Sequence, residues 1–239
     1  MLKLNDRKLS VITAIILVFI ICGIVAVCSI PGETVVLNGG KGYAPIYNGD
    51  RSKNGVALSF NVYEGTEIVE GILDVLDEKN AKATFFIGGC WADDNIDTVK
   101  KILEKGHEIG SHGYFHKDHS KLTEEQNRAE MELLHALIKK ETGVEIKYFA
   151  PPSGAFSKTT LKVAESMGYK TILWSKDTID WRDKNATTVY NRATKNVSGG
   201  DIILMHPKEH TLKALPDILD YYEKIGLRAV AISECIQGI

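Results

Sequence analysis

The sequence predicts an α/β domain built on a parallel sheet, preceded by one N-terminal transmembrane helix. Three observations carry this. Short apolar runs of strand length alternate about seven times with segments of helical periodicity over residues 45–239. Residues Val11 to Ile30 form an almost wholly apolar, uncharged run, long enough as a helix to cross the ~30 Å hydrocarbon core of a bilayer. Polar and ionisable residues cluster directly after the strand-like runs, where parallel α/β folds place their functional groups.

Lys3, Arg7 and Lys8 precede the apolar run and no basic cluster follows it, which sets residues 1–30 as a cytoplasmic N-terminus and anchor in the cell membrane, with the rest of the chain outside. Ala26-Val27-Cys28 is a poor small-x-small cleavage site, so an uncleaved anchor is expected; secretion after cleavage is the alternative. Residues 31–44 are rich in Gly, Asn and Pro and read as a linker. Cys22 and Cys28 lie in the anchor, leaving Cys90 and Cys235 in the exported part; spacing does not say whether those two pair. The net charge of -2 and the lack of a long basic run argue against nucleic acid as a partner. Oligomeric state is silent.

The elements follow in order. Asn54-Gly55 is a turn signal, closing a hairpin between residues 46–48 and the strand Val56-Ala57-Leu58-Ser59-Phe60. Ile68, Ile72, Leu73, Val75 and Leu76 recur at helical spacing over 66–79. Ala83 to Ile87 is a second strand, ended by Gly88-Gly89. A helix near 94–105 and a strand at 107–112 come next. The helix at 123–142 is stopped by Gly143, and that at 157–167 by Gly168. Strands near 147–150 and 170–174, a helix near 186–197, a strand at 201–205, a helix at 209–225 and a strand near 228–231 complete the alternation. A barrel and a doubly wound sheet fit it equally.

At the strand ends stand Asn61, Tyr63 and Glu64; His112 and His116; Pro151-Pro152-Ser153-Gly154; Asp177, Asp180 and Trp181; and His206. His112-x-x-x-His116 places two imidazoles to share one divalent metal of the zinc type. His119 reads as a solvated loop residue. His206 follows the apolar strand Ile202-Ile203-Leu204-Met205 and suits a general acid or base. Asp177 or Asp180 would orient it; either is otherwise a cap.

These segments resemble the polysaccharide deacetylase (NodB-homology) family, the family-four carbohydrate esterases, over roughly residues 45 to 235. The matching runs are Lys82 to Gly88, Gly106 to His116, Phe149 to Gly154, Asp177 to Trp181 and Ile203 to His206, and the likeness is to the spore- and cell-wall-associated subgroup of Gram-positive bacteria. The resemblance implies a distorted (β/α) barrel of about seven strands. It also implies hydrolysis of the N-acetyl groups of amino sugars in a cell-wall polysaccharide such as peptidoglycan. In that chemistry a divalent metal, usually zinc, polarises the acetamide and stabilises the oxyanion. His112 and His116 match two metal ligands, and His206 matches the acid that protonates the departing amine.

The first family motif is usually Thr-Phe-Asp-Asp-Gly, whose first Asp is the base and whose second is a metal ligand. Here Ser59-Phe60-Asn61-Val62 stands in its place, and Ala150 replaces an Arg that normally pairs with the base. An amide cannot accept a proton near neutral pH, and Val62 cannot bind a metal. Two readings follow. In the first, Glu64 or Glu67 supplies the missing carboxylate, and the chain is a hydrolase acting on carbon–nitrogen bonds. In the second, the domain is inactive and binds cell-wall glycan in a groove lined by Pro152, Ser153, Gly154, Tyr114, Phe115 and Trp181; Phe156 is expected to pack in the core.

Overall fold

The computed structural model describes residues 43–238. The expected anchor, Val11 to Ile30, lies outside the described residues. Among those described, no helix is long and apolar enough to cross a membrane.

The centre of the fold is β1 (Gly55–Val62), whose eight residues are all buried. A parallel strand covered on both faces reads as a continuous apolar run rather than an alternation, which is why this segment was visible in the sequence. Around it stand β2 (Thr84–Ile87), β3 (Glu108–Ser111), β4 (Tyr148–Phe149), β5 (Lys170–Thr171), β6 (Lys176–Asp177), β7 (Ile202–Met205) and β8 (Arg228–Val230). Seven of them run in the order β5-β4-β3-β2-β1-β7-β6, with β8 pairing the first residues of β1, and every pairing is parallel. The result is a curled half-barrel open between β5 and β6.

The helices α1 (Thr66–Glu78), α2 (Gly89–Asp94), α3 (Ile96–Glu104), α4 (Glu124–Thr142), α5 (Lys158–Ser166), α6 (Ala186–Thr194) and α7 (Glu209–Lys224) connect the strands, and α8 (Ile232–Cys235) ends the fold. Val56, Leu58, Phe60 and Val62 point outward into the main apolar layer with the helices. Ala57 points inward to a smaller cluster with Phe86, Ile202, Val230 and Cys235. Fully burying each large apolar side chain contributes about 1.5–3 kcal/mol. Strand alternation puts Ser59 and Asn61 on the inward face with Ala57, so β1 carries apolar bulk outward and polar chemistry inward.

Two expectations are corrected. Residues 46–48 form no hairpin: Ile46 pairs with Ile172 and Asn48 with Asp201, tying the edge of β5 to the foot of β7. The strand expected at 170–174 stops at Thr171, and a separate β6 follows. Cys90 is exposed, Cys235 is buried, and both are free thiols; burial pushes the Cys235 thiol up to about 11.

The foot of β7 is tightly packed. A Cβ on Gly199 would lie 1.6 Å from the Lys53 carbonyl oxygen. Backbone cannot yield as a flexible side chain can, so Gly199→Ala is expected to cost at least about 1–3 kcal/mol, in the range of overpacked sites. Urea unfolding, read as a lowered midpoint at constant slope, checks it.

Candidate active site

At the C-terminal ends of the strands lies a cavity of about 350 Å3 lined by Asn61, Tyr63, His112, His116, Ser153, Trp174, Asp177, Trp181, Leu204 and His206. Residues from six strand ends, those of β1, β3, β4, β5, β6 and β7, therefore converge on one place. A larger groove of about 500 Å3 between α6 and α7 holds none of these residues and lies away from the strand ends.

The histidines are set by their backbone partners. His112 leaves the buried end of β3, and its Nδ1–H donates to the Ala150 carbonyl at 2.7 Å. Burial first, and the neighbouring His116 second, push its pKa down to about 3. It is thus a neutral imidazole with Nε2 as its lone-pair nitrogen. His116 sits in the left-handed region at φ 54°, and burial lowers its pKa as well. The two rings are 5.0 Å apart, and the Tyr63 ring lies 4.3 Å from His116.

On the opposite wall His206 and Asp180 form a buried pair. His206 Nδ1–H donates to Asp180 Oδ1 at 2.7 Å, and the His206 backbone N–H donates to Oδ2 at 2.7 Å. The Thr211 hydroxyl also donates to Oδ2, and His210 Nε2 donates to the Asp180 carbonyl. Burial alone would raise the Asp180 carboxyl, but the hydrogen bonds and charge of His206, with Thr211, outweigh it and hold the pKa below the ordinary value. With Nδ1 engaged, His206 presents Nε2 to the cavity, as a proton donor requires.

Of the two aspartates offered as orienters, only Asp180 has that role. Asp177 lines the cavity, but its Oδ1 accepts the Ile179 N–H at 2.7 Å and shapes a turn in which Ile179 has φ 52°. Glu64 does not enter the cavity: it is exposed and pairs with Lys208. Glu67 is exposed on the first turn of α1. The relocated-carboxylate expectation therefore has no residue in place: Glu64 pairs outward with Lys208, and Gly65, at φ 81°, starts the helix that carries Glu67.

Among the expected glycan contacts, Ser153 and Trp181 line the cavity. Pro152 is buried, and Gly154 makes room for Trp174, since a Cβ there would lie 2.9 Å from the indole. Tyr114 turns away and packs on Gly89. Phe115 is exposed beneath Lys117, Phe156 is half-buried and does not line the cavity, and His119 is fully buried rather than solvated. Trp174 was missed: it follows an apolar run that reads as plain strand. Tyr63 was noted at a strand end but not as a wall, because only its contact with His116 reveals that.

Fit to a divalent metal is a question of donors. His112 and His116 supply two imidazoles. Asn61 offers at most a neutral amide oxygen, buried and without a hydrogen-bond partner. Val62, where a third ligand is expected, is fully buried in the outward apolar layer. Among the described residues no group of three His, Cys, Asp or Glu is placed to hold a metal ion. The residues present do not fit a three-donor zinc site.

Comparison with known proteins agrees with this architecture. The polysaccharide deacetylase family model matches residues 48–172. The uncharacterised protein YlxY of Bacillus subtilis is 36% identical over 190 residues, covering 80% of this chain and 60% of its own length; the chain thus spans under two thirds of that relative. A peptidoglycan-N-acetylglucosamine deacetylase of Bacillus cereus is 32% identical, covering 82% of this chain and 73% of that protein. The crystal structure of BA3943 of Bacillus anthracis, described as a pseudoenzyme of the CE4 family, superposes with a TM-score of 0.78 at 33% identity, over 80% of this chain and 68% of the other; one of its mutants is described as having restored enzymatic activity. The family model covers more than half of the sequence, and the Bacillus cereus relative is aligned over most of both proteins, so the chain belongs to the polysaccharide deacetylase family.

Proposed function

We propose that this domain binds an N-acetylated amino sugar of a cell-wall, peptidoglycan-like glycan in the strand-end cavity, and that it does so without hydrolysing it at the rate of a complete deacetylase. The observation that carries this reading is Asn61. It is 2% exposed, lines the cavity, and leaves Oδ1 without a partner. An amide oxygen accepts a hydrogen bond, as from the N–H of an acetamide, but cannot take a proton from water. A buried acceptor without a partner costs roughly 1–3 kcal/mol, which a ligand donor would offset. Trp174, Trp181 and Tyr63 supply aromatic faces on which a pyranose can stack.

The test is equilibrium binding of N-acetylglucosamine oligomers and of purified peptidoglycan, with acetate release measured in parallel. Binding without acetate is expected. Trp181, 53% exposed at the mouth, should weaken binding about tenfold when changed to Ala, a loss of ~1.4 kcal/mol. Acetate release abolished by His206→Ala would overturn this reading in favour of hydrolysis of a carbon–nitrogen bond, the second reading, which the intact His206–Asp180 pair favours. The anchor over Val11 to Ile30 would hold the domain outside the cell membrane; protection of the domain from added protease in intact spheroplasts would refute that.

A further inference from the structure

The loop that carries His116 is held by a residue from another element. We propose that Glu130, in the second turn of α4, is the positioning residue that fixes the Gly113–Lys117 segment and so sets His116 against His112 and Tyr63. Glu130 is 2% exposed. Its Oε2 accepts the backbone N–H of Tyr114 at 2.9 Å and of Phe115 at 2.8 Å. Its Oε1 pairs with Lys117 Nζ at 3.2 Å. One carboxylate thus grips three of the five residues Gly113–Lys117. A buried ion is costly unless fully partnered, and all of its partners lie on this loop.

The loop needs such a hold. It takes the left-handed region twice, at Gly113 (φ 74°), where glycine meets no steric cost, and at His116 (φ 54°), where a side chain does. A left-handed non-glycine residue persists only where its surroundings over-determine it. At Gly113 a Cβ would lie 2.9 Å from His119 Nε2 and 3.3 Å from Glu130 Oε2, so the glycine also lets the carboxylate approach. His119 adds a second strut. Its Nδ1 meets Asn127 Oδ1 at 2.8 Å, and its carbonyl accepts the Thr160 hydroxyl at 2.8 Å. Without Glu130 the two N–H groups would be unpartnered and the loop would relax away from the left-handed turn.

The test uses the full chain without ligand, so it succeeds or fails independently of glycan binding. Two signals report the loop directly: hydrogen exchange at the Tyr114 and Phe115 amides, and the imidazole proton shifts of His116, which the Tyr63 ring at 4.3 Å displaces by its ring current. Glu130→Ala should speed exchange at those two amides at least about tenfold beyond any global loss, as expected for losing hydrogen bonds to a charged group. It should also move the His116 shifts towards those of an unstacked imidazole. Leu134→Ala, one turn further along α4 and fully buried, is the destabilised control and should leave both signals in place relative to its own global stability. If Glu130→Ala does not fold, Glu130→Gln keeps one acceptor oxygen but loses the Lys117 pair, and should show the same changes in smaller measure. Unchanged exchange and unchanged His116 shifts in a folded Glu130 variant, or equal changes in Leu134→Ala, would overturn the assignment.

Discussion

Asp180→Asn is expected to lower the melting temperature by roughly 6–20 °C at neutral pH. The side chain is fully buried and its two oxygens accept three donors: the His206 ring, the His206 backbone and Thr211. An amide of the same shape keeps one acceptor and turns an NH2 group towards a donor. Breaking a buried charged pair costs about 3–5 kcal/mol, and one kcal/mol corresponds to about 2–4 °C for a domain of this size. Asp177→Asn is the contrast, because its amide oxygen can still accept the Ile179 N–H; a change within about 0.5 kcal/mol is expected. The pH dependence has a definite sign. The Asp180 pKa is lowered in the fold, so its contribution is present above the ordinary carboxylate value of ~3.9 and is lost as pH falls through the lowered folded value. The gap between wild type and Asp180→Asn should therefore shrink in acid. Calorimetric melting of both chains from neutral pH down to pH 3 checks this; a gap constant with pH would contradict it.

Asn61→Asp should have the largest effect on chemistry. It returns a proton acceptor to β1 beside the end of β7 that carries His206, and general base catalysis is worth about 10²–10⁴-fold. Acetate release from an N-acetylglucosamine oligomer is expected to rise by at least about 100-fold over wild type on that basis. The substitution should also destabilise the fold. The new carboxyl is as buried as Asn61 and, with Ala150 in place of an Arg, has no cationic partner, so its pKa is raised. A raised acid favours the protonated fold: the variant should be closest to wild type below ~pH 4 and lose ground as pH rises through the raised value. Activity should rise over the same interval, since only the ionised form is a base. Unfolding midpoints and initial rates across pH 4–9 test both. A destabilised variant with no added acetate release would show that the apolar Val62, and the metal donor it displaces, limits the reaction instead.

The sequence showed most of the fold because helix and strand periods separate cleanly here. β1 carries the apolar run Val56 to Leu58 with Phe60, and the stop expected at Gly143 is a left-handed cap of α4, whose other end is closed by a capping box at Thr123. What failed was local. β6 is two residues long, too short to carry a period, so it merged with β5. The sheet pairings of Ile46 and Asn48 are tertiary and leave no mark beside a turn-like Asn54-Gly55. Within the site, the positions of His112, His116 and His206 on the cavity were legible because each follows a strand-like run. Glu64 was misplaced because sequence distance does not show the turn at Gly65 or the pull of Lys208. Glu130 was invisible for the opposite reason: on a polar helix nothing distinguishes an inward carboxylate from its solvated neighbours.

The foot of the barrel has a mechanical consequence. The Asp50 N–H donates to the Cys235 carbonyl, Lys53 Nζ donates to the Gln237 carbonyl, and the Gly49 N–H donates to Gly200. The first and last stretches of the folded domain are thus stitched together at the end opposite the cavity. Pulling the two ends of the described domain apart would load these few bonds first. They lie ahead of β1, at the opposite end of the strands from the cavity, so the base would open before the strand-end site was disturbed.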